Sequence, residues 1–251
     1  YCAACGQRVV RDADFSLWRL SRDWVAAMFS LDSRGLTTLR RLLFQPGRLS
    51  SDYIAGRRAA AFSPFQIFVF VTLAFFLLPD NYDIFKAPAR WFFPGQAELV
   101  QVKMAELELS EEALSVLYDS TVGTVSKLGL VVIIGALSLA SWLAGIRRMR
   151  EFGKHLVVAV HDFCAMLLMF LVVLLPFAFL LDAVWPAERN RGMMEAGSLL
   201  VVLVYLTLSQ RRVLGIGWVR AGLHALPIFV VLATSIMIYR GTISWLTLWS
   251  L

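Results

Sequence analysis

The sequence predicts an all-α fold: a polytopic membrane helical bundle of about five transmembrane helices, with amphipathic interfacial helices at its N-terminus. Three observations predict it, namely an apolar composition, five long apolar runs, and a concentration of Lys and Arg in alternate connecting segments. The 251 residues are 59% hydrophobic and 17% charged, with a mean hydropathy of +0.68. Because soluble domains carry about 25% charged residues, we expect lipid to surround much of this chain.

Four of the apolar runs have the length that a transmembrane helix requires. The hydrocarbon core of a bilayer is about 30 Å thick, and roughly 20 helical residues cross it. These runs are residues 60–78, 128–146, 163–181 (extendable back to Leu156) and 221–239. The remaining run, residues 196–209, is the fourth in chain order and reaches that length only if Met193, Met194 and Glu195 are included. A crossing is the first interpretation of this run, and a re-entrant segment stays open.

The distribution of basic residues predicts the orientation of the chain. Of the Lys and Arg residues, 17 lie before the first run, between the second and third, or between the fourth and fifth, and 7 lie in the remaining segments. Positively charged loops stay in the cytoplasm. The sequence therefore predicts a cytoplasmic N-terminus and a periplasmic C-terminus. The net charge of +6 is explained by this topology, so no nucleic acid partner is expected.

A pair of cysteines opens the chain and suggests half of a zinc site. Cys2 and Cys5 are separated by two residues and followed by Gly6, which is the spacing of one zinc knuckle. Two further ligands are needed, and because the chain begins at Tyr1 we expect them upstream. Zinc is therefore expected in the full-length protein and no metal in this chain alone. A redox pair and a chance pair are the alternatives.

We predict three parts: a truncated zinc knuckle at residues 1–7, a basic cytosolic amphipathic segment at 8–59, and a transmembrane domain at 60–251 with an extracytoplasmic loop at 79–126. Residues 15–31 and a Leu stripe beside Arg40 and Arg41 predict two amphipathic helices, the second ending at Pro46 and Gly47. These helices suit the headgroup layer of an anionic inner leaflet, or they pack against the cytosolic ends of the spans. In the loop, Ser110 predicts a helix start, and Trp91, Phe92 and Phe93 are typical of membrane-interface anchors.

Ionisable residues inside membrane spans are costly and therefore candidates for function. The predicted topology places four such residues at similar depth near the cytosolic leaflet: His155, His161, Asp162 and His224. Gln66 and Ser141 are further candidates for this group. It would bind a metal, relay a proton, or hold a phospholipid headgroup with Arg147 and Arg148. In the alternative interpretation, Asp162 pairs with a loop arginine and the histidines form hydrogen bonds between helices.

Proline positions and the usual catalytic motifs complete the pattern. Pro176 predicts a kink in the third span, and Pro64 and Pro227 are placed in the first turns of their spans. The chain contains no GxxxxGK[ST], HExxH or GxSxG motif, so no catalytic residue is assigned.

The chain resembles the bacterial membrane family called domain of unknown function 3667. The resemblance is carried by YCAACGQ at the start, by LLFQPGRLSSDYIAGRRAAAFSPFQIFVFVTLAFFLL and by HLVVAVHDFCAMLLM. It implies a paired-cysteine knuckle, a basic segment leading into the first span, several further spans and a bacterial inner membrane location. Family members often have a second histidine shortly after the position of His161, where this chain has Asp162 and Phe163. The resemblance implies no activity.

Three hypotheses of function follow. The first is a non-enzymatic scaffold or regulator that binds anionic lipid, or a protein partner through its cytosolic N-terminus. The second is a transporter or lipid-handling protein built around His161, Asp162 and His224. The third is an enzyme that acts on membrane lipid.

Overall fold

The computed structural model describes residues 34–58, 61–77, 89–125, 130–177, 180 and 187–251. Within these ranges the chain is helical and contains no strand, so the predicted all-α fold is confirmed. The helices are α1 (Arg34–Phe44), α2 (Arg48–Ile54), α3 (Pro64–Phe76), α4 (Ala89–Phe92), a 3-10 turn (Phe93–Gln96), α5 (Ala97–Leu107), α6 (Glu111–Val125), α7 (Leu130–Gly145), α8 (Phe152–Met169), α9 (Ala187–Leu214) and α10 (Trp218–Ser250).

Each of the five predicted apolar runs coincides with an apolar helix. Three helical segments in the described ranges are long and apolar enough to cross a membrane: Phe152–Phe177, Ala196–Leu214 and Trp218–Ser250. The two shorter apolar helices, α3 and α7, adjoin positions outside those ranges. The predicted helix at residues 15–31 also lies outside them.

The third apolar helix begins earlier than its hydropathy predicts. It starts at Phe152, not at residue 163 or 156. Its first turn is helical but contains polar residues, so hydropathy alone does not detect it. Lys154 forms an ion pair of 3.1 Å with Glu151, the residue that precedes the helix. Hydrogen bonding to its own backbone, together with the Lys154 ammonium group, lowers the pKa of Glu151. His155, His161 and Asp162 therefore lie within an established helix.

The fourth apolar run is part of an unbroken helix. α9 extends from Ala187 to Leu214, and the segment that is long and apolar enough to cross a membrane, Ala196–Leu214, ends five residues after the predicted run. Gln210 is 1% exposed, so this polar residue continues the buried surface of the helix. The helix is therefore unbroken across the predicted run, and its length and composition are sufficient for a crossing.

The prolines have three different environments. Pro64 is the first residue of α3, where a missing N–H costs nothing. At the start of this helix, the Ser63 hydroxyl accepts a hydrogen bond of 3.3 Å from the Gln66 N–H, and Gln66 Oε1 accepts one of 2.9 Å from the Ser63 N–H, as in a capping box. Before Pro176 the helix changes to π geometry over Phe170–Leu174. The placement of Pro227 in a first turn is wrong, because α10 already begins at Trp218.

The described residues fall into two compact units. Unit 1 comprises the described residues within Tyr1–Phe75 and Leu137–Phe229, and unit 2 comprises those within Phe76–Ala136 and Val230–Leu251. In unit 1, α1 and α2 pack on α8, and α2 also packs on α9. The second predicted amphipathic helix is confirmed as α1, with Leu42 buried and Leu36 79% exposed. This helix both packs on other helices and presents apolar surface outward.

Unit 2 has its own apolar core, formed by the loop helices and the end of α10. Leu114, Tyr118 and Val122 of α6 are fully buried against Ile243 and Leu248. Ser110 accepts a hydrogen bond from the Ala113 N–H, so the predicted helix start is confirmed. Burial raises the pKa of Tyr118 from its ordinary value of 10.0 to about 12. The loop is therefore a folded element of the protein.

A cavity of about 550 Å³ opens in unit 2. Its wall combines three carboxylates with apolar and hydroxyl groups, and it contains none of the predicted site residues. The lining residues are Ala89, Phe93, Pro94, Glu111, Glu112, Ser115 and Asp119. Asp119 is held in this wall by a hydrogen bond of 3.2 Å that it accepts from the Ala89 N–H.

Candidate functional site

The predicted polar residues of unit 1 lie around a helical hairpin made of α1, a tight turn and α2. The turn closes with hydrogen bonds of 3.0 Å from the Gln45 N–H to the Arg41 carbonyl and from the Arg48 N–H to the Gln45 carbonyl. Gly47 has φ of 71°, a left-handed conformation that suits glycine. The sequence Pro46-Gly47 therefore ends α1, as predicted, and also reverses the chain into α2.

Side chains of α9 attach the hairpin to this helix by donating hydrogen bonds to backbone carbonyls of the hairpin. The Tyr205 hydroxyl donates to the Leu42 carbonyl at 2.7 Å, and this pair is buried. The Arg212 guanidinium donates to the Pro46 carbonyl at 2.9 Å. Carbonyls at the end of α1 have no partner within their own helix, so these side chains satisfy them.

Gly47 lies close to the backbone of α9. A Cβ atom at this position would lie 2.7 Å from the Ser209 carbonyl oxygen and 3.0 Å from the Ser209 Cα. Both atoms belong to the backbone of a helix and cannot move aside easily. Glycine is therefore required here by two independent constraints, the positive φ and the lack of space.

His161 joins α8 to the hairpin. Its Nδ1 shares a hydrogen bond of 2.9 Å with the Ser50 hydroxyl, and its ring meets the Tyr53 ring edge to face at 6.5 Å. Its Nε2 is buried and has no hydrogen-bond partner among the described residues. His161 thus contacts the segment that precedes the first span, a partner that its position in the sequence does not indicate.

Asp162 joins α8 to α9. Its Oδ1 accepts a hydrogen bond of 2.6 Å from the Ser209 hydroxyl, and both side chains are buried. In the part of the chain that the structure describes, the partner of Asp162 is this serine and not a loop arginine. Ser209 thus bonds Asp162 through its side chain while its backbone lies against Gly47.

His155 joins α7, α8 and the loop between them. Its Nε2 lies 2.9 Å from the Met149 carbonyl and its Nδ1 lies 2.9 Å from the Ser141 hydroxyl. Because a carbonyl only accepts, Nε2 carries the proton of the neutral ring and Nδ1 accepts from Ser141. The predicted association of Ser141 with this group is confirmed for His155. Gln66, in contrast, caps its own helix.

We predict that Gly145→Ala destabilises unit 1 by about 1–2 kcal/mol. A Cβ at Gly145 would lie 2.8 Å from Cε1 of His155, which two hydrogen bonds hold in place. The measurement is the unfolding midpoint in a titration with a denaturing detergent. Gly153→Ala is the matched control, since its Cβ meets nothing within 4 Å. Equal midpoints for the two variants would show that the His155 contacts carry little stability.

The remaining candidates lie at the surface of unit 1 or close to it. Arg147 and Arg148 are exposed. His224 is partly exposed, and its Nδ1 has no hydrogen-bond partner among the described residues. Across the described ranges, no hydrogen bond or ion pair links any two of His155, His161 and Asp162.

No group of three or more His, Cys, Asp or Glu side chains that could hold a metal ion occurs in the ranges that the structure describes. Cys2 and Cys5 lie outside those ranges. The polar residues of unit 1 therefore form separate ties between helices: His155 to α7, His161 to α2 and Asp162 to α9.

The hairpin and α3, the helix that follows it, are consecutive in the sequence and together match a family model. Residues 32–76 match the family model described as "Protein of unknown function (DUF3667)". The predicted resemblance is thereby confirmed over this segment, which spans α1, α2 and α3 and less than a fifth of the chain. No curated protein and no solved structure matches the chain.

The DUF3667 segment supplies the contacts that sequence reasoning missed. Ser50 and Tyr53 contact His161, and Gly47 contacts Ser209. The sequence does contain one signal for this docking: two small polar residues, Ser50 and Ser51, lie in the short helix that directly follows a turn glycine. The DUF3667 segment is thus a docked part of the helical core of unit 1.

Proposed function

We propose that this chain is an integral, multi-pass protein of a bacterial inner membrane that serves as a non-enzymatic scaffold and binds anionic lipid on its cytosolic side. One observation carries the proposal: in unit 1 the buried residues His155, His161 and Asp162 form hydrogen bonds to neighbouring helices, while many arginines remain exposed. These arginines are Arg40, Arg48, Arg57, Arg147, Arg148, Arg150, Arg211, Arg212 and Arg220.

The charge balance of the two units supports the proposed orientation. Among the described side chains of unit 1, the carboxylates are Asp52, Glu151 and Asp162, far fewer than the arginines. Unit 2 carries the opposite excess, with carboxylates at Glu98, Glu106, Glu108, Glu111, Glu112 and Asp119. The positive-inside rule therefore favours a cytosolic location for the arginine-rich connecting segments, with the C-terminus in the periplasm.

Part of the arginine surface belongs to the DUF3667 segment itself. Asp52 is the carboxylate of α2, and it pairs with Arg57 at 2.7 Å and with Arg48 at 3.7 Å. The side chains of these two arginines are still 65% and 53% exposed. A docked, rigid hairpin with exposed guanidinium groups is suited to phosphate groups at a membrane surface, where each basic residue contributes about 1 kcal/mol.

We predict that replacing Arg40, Arg147 and Arg148 together by Gln lowers the preference for anionic lipid, by about fivefold per arginine. The measurement is the relative association of spin-labelled phosphatidylglycerol and phosphatidylcholine with the protein in proteoliposomes. The same three positions changed to Lys form the matched control and retain the preference, because the attraction depends mainly on charge. A Gln variant whose preference for phosphatidylglycerol is unchanged would refute the proposal.

The proposal includes the N-terminal cysteines. Cys2 and Cys5, with two further ligands, would bind zinc in the full-length protein, and the resulting knuckle would present a cytosolic surface to a protein partner. It is supported by the cysteine spacing and by the predicted cytosolic location.

A second candidate function is transport or handling of a lipid or small polar ligand. It is favoured by one specific observation: His161 Nε2 and His224 Nδ1 are buried without a partner among the described residues. Buried polar atoms are normally satisfied, so a ligand or ordered water at either atom would explain them. If this candidate is correct, replacing Asp162 changes the lipid composition of cells that carry the variant while leaving the stability of the protein unchanged.

A further inference from the structure

The outer end of α10 has one packed face and one open face. Ile243, Ser244 and Leu248 are buried in unit 2. On the other side, Trp245 and Trp249 are 50% and 66% exposed, and their rings are stacked with centroids 6.4 Å apart and planes within 11°. Large exposed aromatic surface is costly in water, so this face needs an occupant.

We infer that the headgroup layer of the outer leaflet occupies this face and that Trp245 and Trp249 anchor unit 2 at the membrane surface. The inference rests on the membrane placement in the proposed function. Tryptophan is enriched at membrane interfaces because its ring is apolar while its N–H can still donate a hydrogen bond.

Helix length places Trp245 at the required depth. The apolar part of α10 begins at Ala221, after Arg220, and roughly 20 residues cross the hydrocarbon core. The core therefore ends near Arg240, and a later start at Leu223 moves its end to Thr242. The headgroup layer adds about 5–8 Å on each side, and a helix rises about 1.5 Å per residue. Trp245 falls within this layer, and Trp249, one helical turn further along, lies just beyond it.

Aromatic residues of the loop lie at the same level of α10. A Cβ at Gly241 would lie 3.9 Å from Phe92, and the Ser244 hydroxyl donates to Gln96 Oε1 at 3.0 Å. Phe92 and Phe93 belong to the motif that the sequence predicts as an interface anchor. Phe93 is buried against Tyr118, at a centroid distance of 5.3 Å, so it serves the core of unit 2. The outward aromatic surface at this level includes the tryptophan pair.

Depth-dependent fluorescence quenching tests the inference in phosphatidylcholine proteoliposomes. The emission of the pair is obtained as the difference between the unmodified protein and a variant carrying Trp245→Phe and Trp249→Phe, which keeps aromatic rings at both positions. We expect lipids brominated near the headgroup to cause a larger fractional loss of this difference signal than lipids brominated near the chain end. Aqueous iodide should cause a smaller loss than the headgroup-proximal lipid.

Each of the other possible results contradicts the inference. If iodide quenches the pair most strongly, the face lies in water or meets a soluble partner, and the inference is overturned. If the chain-end bromines quench it most strongly, the pair lies in the hydrocarbon core and the inference is again overturned. If brominated lipids quench none of the tryptophans, Trp142 and Trp218 included, the membrane placement itself is wrong, and the inference falls with the proposed function.

Discussion

Replacing Gly47 by Ala is expected to lower the free energy of unfolding of unit 1 by about 3 kcal/mol, the largest single effect that we predict. A side chain at φ of 71° is strained by about 1 kcal/mol. The remainder arises because the new Cβ would lie 2.7 Å from the Ser209 carbonyl oxygen, so the hairpin must move away from α9. The measurement is a denaturing-detergent titration, with limited trypsin digestion to report release of the hairpin.

Gly56→Ala is the matched control for this change. Gly56 also has a positive φ, of 82°, but a Cβ there meets nothing within 4 Å. It should therefore cost about 1 kcal/mol, the backbone strain alone, and leave the trypsin pattern unchanged. If Gly47→Ala and Gly56→Ala have the same effect, the close approach of Gly47 to Ser209 does not hold the hairpin.

Ser209→Ala is expected to destabilise unit 1 by about 1–3 kcal/mol, because it removes the hydroxyl that donates to the buried Asp162 carboxylate. In a protein that already carries Asp162→Leu, the same serine change should cost little, since no carboxylate then needs a donor. The double-mutant cycle should give a coupling energy of about 1–2 kcal/mol. Thr207→Ala on the same helix is the control, as that hydroxyl bonds only to the Leu203 carbonyl.

Asp162→Leu combined with Ser209→Ala separates the two candidate functions. Replacing a buried polar pair by apolar groups of similar shape is often neutral or stabilising. If Asp162 is only a tie between α8 and α9, the double variant folds stably and cells that carry it keep their normal lipid composition. Strictly additive effects of the two changes would show that the hydrogen bond between Ser209 and Asp162 contributes no stability.

The hydropathy pattern along the sequence predicted the positions of the helices well and the ends of the helices less well. Apolar runs indicate a helix wherever residues must avoid water, so all five were placed correctly. Hydropathy says nothing about polar helical turns, and α8 therefore begins well before its apolar run. The same limitation misplaced Pro227, which lies inside α10 because that helix starts ahead of its apolar part.

For the candidate site, the sequence predicted which polar residues are buried but not which residues they contact. His155, His161 and Asp162 were chosen correctly as buried polar residues, and Ser141 as a neighbour of the group. Their partners could not be paired from sequence, since Ser50 and His161 are 111 positions apart. No helical periodicity connects positions in different helices.

The amino-acid sequence alone determined that this protein is a bundle of apolar helices with arginine-rich connections, because hydrophobicity and charge act residue by residue. Only the tertiary structure decided what each buried polar group does. Side chains at similar predicted depth on α8 turn to three different neighbours, and the basic segment before the first span becomes a docked hairpin. Hydrogen bonds are short and directional, so their partners depend on how the helices pack.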